Sequence, residues 1–88
     1  MTIWKYEIEP DLVNQVYDLP AGAQVLSFGL DPVERLCFWA LVEEEAPKEA
    51  RVFACVGTGW NVEEGARFVG TAVKGEYVWH LFEVRKRS

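Results

Sequence analysis

The 88-residue chain predicts an all-β domain, a small antiparallel sandwich or barrel of about seven strands. Apolar side chains alternate with a period of two along most of the sequence. Turn chemistry recurs at short intervals, at Pro20-Ala21-Gly22, Asp31-Pro32, Gly57-Thr58-Gly59 and Lys74-Gly75. No segment sustains the i, i+3, i+4, i+7 stripe of an amphipathic helix; residues 60–66 have room for one helical turn.

The first element is IWKYEIE, with Trp4, Tyr6 and Ile8 on one face and Lys5, Glu7 and Glu9 on the other. Pro10 and Asp11 end it, since proline cannot donate to a ladder. Two short strands near residues 14–19 and 23–30 flank the Pro20–Gly22 turn. RLCFWALVE, residues 35–43, is apolar on both faces, so a second layer or another subunit should cover it. EEEAPKEA, residues 43–50, is acidic, contains a proline and reads as an exposed loop. ARVFACVG returns to strand, with Arg51, Phe53 and Cys55 opposite Val52, Ala54 and Val56. A final hairpin runs from ARFVGTAV through Lys74 and Gly75 to EYVWHLFEVR. There Tyr77, Trp79 and Leu81 alternate with Val78, His80 and Phe82, and both faces are largely apolar.

This length makes residues 1–88 a single domain with a modest core, of the size that oligomerisation often completes. A homo-oligomer is therefore expected. A net charge of −5 argues against binding a nucleic-acid duplex, which needs a basic face. The tail Arg85-Lys86-Arg87-Ser88 is either a solvated end or a local contact for an anion. MTIWKYEIEP lacks the basic start and apolar run of a secretory signal, and no apolar stretch approaches the ~20 residues that span a bilayer. A soluble intracellular protein is expected, with no membrane partner and with Cys37 and Cys55 reduced. Without a CxxC pair or a His/Cys cluster, no metal site is expected.

The stretch CVGTGWNVEE carries the most chemistry. It is not a P-loop, because one residue separates Gly57 from Gly59 and no lysine follows. It is not a dinucleotide fingerprint, because no third glycine and no βαβ unit accompany it. What remains is a Gly-Thr-Gly bend, which serves as a plain turn or as a nest of N–H groups for an anion. Trp60 favours a site, since an indole beside free N–H groups can stack a base above a phosphate.

Trp39 and Trp79 read as core or subunit interface, while Trp4 with Tyr6 reads as core or as a stacking platform. His80 reads as a hydrogen-bonded structural histidine, and Cys37 and Cys55 as small buried hydrophobes. The glutamates at 43–45 and 63–64 lack the alternation of a calcium loop and read as solvated. A domain this small leaves little room for the cleft that a catalytic carboxylate pair needs. Neither catalysis nor a cofactor is expected.

Six blocks carry a resemblance: TIWKYEIEP, LPAGAQVLSFGL, CFWALVEEEA, GTGW, FVGTAV and YVWHLFEV. In this order they resemble a widespread family of small bacteriophage proteins with the pattern I-W-K-Y, P-x-G-A-x-[IV]-L-S, L-W-A-L-V, G-T-G-[HW], [YF]-[IV]-G-T and V-x-H-[VL]-F-E. The resemblance covers nearly the whole chain. It departs at Trp60, where the family often has histidine, and at Cys37. It is similar, too, to phage proteins that sequester cyclic nucleotide alarm signals without cleaving them. This implies a phage anti-defence protein in the host bacterial cytoplasm with a cyclic oligonucleotide as partner. On that reading Trp4, Tyr6 and Trp60 stack bases, Gly57, Thr58 and Gly59 contact phosphate, and Arg51 and Arg67 neutralise charge. The alternative is a module that grips a host protein through an aromatic face and acidic loops. A virion-associated subunit without a ligand is the third reading.

Overall fold

A computed structural model describes residues 1–10 and 12–84. Asp11, expected to help end the first strand, and the basic tail from Arg85 to Ser88 lie outside the described residues.

The protein is all-β. Its strands are β1 (Thr2–Glu7), β2 (Gln15–Pro20), β3 (Gln24–Leu30), β4 (Leu36–Val42), β5 (Lys48–Gly57), β6 (Arg67–Lys74) and β7 (Tyr77–Val84). Every pairing is antiparallel. One sheet has three strands in the order β1-β4-β3, the other four in the order β2-β5-β7-β6.

Alternation explains the core. Leu36, Phe38, Ala40 and Val42 of β4 face Phe53 and Cys55 of β5 and Leu81 of β7. Phe38 and Phe53 stack with centroids 4.4 Å apart, and Tyr6 stacks on the other side of Phe38 at 5.0 Å. Tyr17 meets Phe38 and Phe53 edge-on. Offset and edge-on pairs of this kind add to the free energy of area burial. Both cysteines are free and buried, and desolvation pushes the Cys55 thiol up to about 11.

The two open sides of the sandwich close differently. β3 and β6 approach along one side, and each carries a register shift, between Val25 and Ser27 and between Phe68 and Gly70. Bulges bend strand edges toward one another. The approach is close: a Cβ on Gly70 would lie 3.3 Å from the Phe28 Cβ. On the other side a side chain does the stitching. The Gln15 amide accepts from Glu9 N–H at 2.9 Å and donates to the carbonyls of Glu9 and Leu12 at 2.6 and 3.2 Å. The Tyr17 hydroxyl donates to the Glu7 carbonyl at 2.6 Å. A buried glutamine with these partners has its polar atoms satisfied.

Two expectations are corrected. Residues 60–66 form no helical turn; they make a loop closed by Ala66 N–H on the Glu63 carbonyl. The segment 43–50 is a loop only to Pro47, because β2 offers a ladder to Lys48, Glu49 and Ala50, which pair with Pro20, Leu19 and Asp18. No helix among the described residues is long and apolar enough to cross a membrane.

Candidate functional site

β5 ends at Gly57, where the chain turns through Thr58 and Gly59 to Trp60. Trp60 N–H donates to the Gly57 carbonyl at 3.1 Å and closes the turn. Gly59 has φ 93°, as the third position of a type II turn requires. The Trp60 indole folds back over Gly57 so closely that a Cβ there would sit 3.1 Å from the ring. Glycine at 57 is thus what lets the indole settle on the backbone. The same indole meets Trp79 edge-on at 5.7 Å, and the Tyr77 ring lies 6.2 Å from Trp79. Trp60 and Tyr77 remain 51% and 68% exposed. Gly57, Thr58, Trp60, Tyr77, Val78 and Trp79, with Glu76, line a recess of about 330 Å³. A neighbouring hollow shares Tyr77 and Trp79 and adds Lys74.

Thr58 has a second task. Its hydroxyl lies 2.8 Å from His80 Nε2, and the Thr71 hydroxyl lies 2.9 Å from His80 Nδ1. Both ring nitrogens are engaged, as expected of a structural histidine. This trio joins the turn to β6 and β7.

The other predicted residues lie elsewhere. Arg51 is six residues before Gly57 on the same strand, about 20 Å away at ~3.3 Å per residue. Its guanidinium is engaged: Nε and Nη2 donate to the two Glu83 carboxylate oxygens at 2.7 and 2.8 Å, and Nη1 donates to the Ala23 carbonyl at 2.6 Å. The Glu83 hydrogen bonds raise the guanidinium further above its ordinary value. Arg67 is exposed and lines two clefts beside Arg51 and Glu83, one of about 540 Å³ and one of about 290 Å³. Trp4 is half-buried against the core, with the Lys48 ammonium 4.9 Å from its ring centre. Tyr6 is stacked on Phe38, and desolvation raises its phenol above the ordinary value.

Gly57, Thr58 and Trp60 therefore gather in one recess, with Gly59 in the turn that joins them. Trp4, Tyr6, Arg51 and Arg67 do not reach it within one copy. Tyr77 and Trp79 join the recess, and Lys74 the neighbouring hollow, without having been expected there, because only the β6–β7 hairpin brings them to this end of the sheet.

No curated protein and no solved structure matches the chain. A family described as a domain of unknown function, DUF7352, matches it from residue 1 to residue 88, and the chain belongs to that family.

Proposed function

We propose that this protein is a non-catalytic phage accessory protein that binds and sequesters a host cyclic nucleotide signal. The base stacks in the recess at the Gly-Thr-Gly turn. The observation that carries this reading is the aromatic corner, with Trp60 half exposed, Trp79 at right angles to it and Tyr77 open alongside. Stacking on such surfaces contributes about 1–3 kcal/mol per base. Phosphate would meet the Thr58 hydroxyl, the backbone of the turn and the Lys74 ammonium in the adjoining hollow. Trp4, Tyr6 and Arg51 then serve the scaffold rather than the ligand, and Arg67 contributes only if the ligand extends from a second copy.

Isothermal titration against a panel of cyclic di- and trinucleotides tests the reading. The wild type should bind at least one with micromolar affinity or better, and Trp60→Ala should lose that heat. Silence of the wild type across the panel would refute it.

A second reading has its own support: the outer face of the four-stranded sheet is apolar and suits a protein contact. Such contact would survive Trp60→Ala, so the same variant separates the two.

A further inference from the structure

His80 is the chain's single histidine, and each of its ring nitrogens faces a hydroxyl. Nε2 lies 2.8 Å from Thr58 Oγ1, and Nδ1 lies 2.9 Å from Thr71 Oγ1. These contacts restrict where protons can be. A neutral imidazole carries one N–H and one bare nitrogen. One threonine therefore accepts from the ring, and the other commits its only O–H to the bare nitrogen. A hydroxyl that donates to the ring has no proton left for anything else. In the imidazolium both nitrogens donate. Both threonines then accept, and both hydroxyl protons are free to turn away from the ring.

The difference matters at Thr58, which also lines the recess with Gly57, Trp60 and Tyr77. With the Thr58–His80 contact intact, a ligand oxygen can receive the Thr58 proton only when Nε2 carries a proton of its own. The imidazolium secures that arrangement and places a positive charge one hydrogen bond behind the hydroxyl. We propose that His80 is a positioning residue for the recess: it holds the Thr58 hydroxyl as a donor to an oxyanion, and anion and proton are taken up together, a role that rests on reading the recess as an anion site.

The surroundings of the ring favour this coupling. Residues directly opposite across a ladder are neighbours on one face, and His80 is opposite Thr71 on β6 and Val56 on β5. Val78 and Phe82 flank it along β7. None of these carries a charge, and Val56 is buried. Charged groups enter from the loops: Glu76, which lines the recess with Thr58, Lys74 in the adjoining hollow, and Glu63 and Glu64, exposed beyond Trp60. The Glu76 carboxylate opposes an anion in the recess, and a proton on His80 offsets it. An anion in turn relieves an imidazolium set among apolar side chains. By linkage, each strengthens the binding of the other by the same factor.

The test is a proton NMR titration of the full chain, in which a single histidine leaves the imidazole C–H signals unambiguous. Sulfate is the probe, since it stays a dianion across the range of about pH 5–8 in which an imidazole ordinarily changes charge. Chloride at equal ionic strength is the reference. A coupling of about tenfold, within the usual range for linked sites, raises the His80 midpoint in saturating sulfate by about one pH unit. Thr58→Val should abolish that rise. Thr58→Ser, which keeps a hydroxyl, should retain it, and so should Thr71→Val, because the lost hydroxyl faces the other nitrogen. Equal midpoints in sulfate and chloride would overturn the proposal. So would a rise that persists in folded Thr58→Val, or in Thr58→Ala if valine disturbs the turn. The nucleotide reading fails separately. A silent nucleotide panel beside a sulfate rise that depends on Thr58 would keep the proton-linked anion site and remove only the nucleotide.

Discussion

Arg51 shows how a residue suited to phosphate can be committed to the fold. Arginine binds carboxylate and phosphate with the same planar fork. Here the fork is filled by Glu83, which stands 32 residues away in sequence, and by the Ala23 carbonyl. Arg51 and Glu83 are 17% and 21% exposed at the side chain, so the pair is partly desolvated. Arg51→Ala leaves Glu83 and the Ala23 carbonyl short of donors and should cost about 1–3 kcal/mol of stability. Urea unfolding of the variant measures this, and nucleotide binding at the recess should be unchanged. The sequence marks Arg51 as a cation on a strand but says nothing of Glu83, because pairing across β5 and β7 is set by register. Trp60 was legible for the opposite reason. A tryptophan directly after a glycine turn has no strand face to bury it.

At the scale of elements, the hairpin from β3 to β4 is organised by one carboxylate. Asp31 accepts from Val33 N–H and Arg35 N–H at 3.0 and 2.8 Å, and from Lys5 and Arg35 side chains. Glu34 within this turn has φ 63°, a conformation that a non-glycine residue adopts only when its surroundings hold it there. The Arg35 backbone hydrogen bond, aided by the two cations, holds the Asp31 carboxyl well below its ordinary 3.8. The folded protein therefore binds this proton less readily than the unfolded chain does. The stability it contributes is complete above the ordinary value and is lost as pH falls below ~5 toward the folded-state value. Asp31→Asn should lower stability at neutral pH, and the gap to wild type should narrow steadily in acid. Urea midpoints across that pH range would show it, and a constant gap would contradict it.

The strands themselves were readable because a period of two survives in nearly every segment. The closures were not. Gln15 is a polar residue at a seam, and the bulges in β3 and β6 leave no mark on the alternation. Thr58, Thr71 and His80 lie in three separate blocks of sequence, and only the order β5-β7-β6 brings them together.

For the whole molecule, the two sheets divide the work. The space between them holds the aromatic core and the Arg51 ion pair. The outer face of the three-stranded sheet carries Lys5 and Glu7 together with exposed Ile3, that of the four-stranded sheet exposes Val16, Phe68 and Val73, and the end of the four-stranded sheet bears the aromatic recess. An acidic protein of this size can hold an anionic planar ligand only if local backbone, hydroxyl and ammonium groups outweigh its net charge at that spot. The acidic loop at Glu43, Glu44 and Glu45 is attached to the opposite end of β5 from the recess, which keeps those carboxylates clear of it. The most direct measurement is mass spectrometry of small molecules released on denaturing the protein after purification from bacteria that make cyclic nucleotide signals. The account predicts a cyclic nucleotide released in proportion to wild-type protein and absent from Trp60→Ala. Release of no nucleotide from the wild type, or of equal amounts from both proteins, would contradict it.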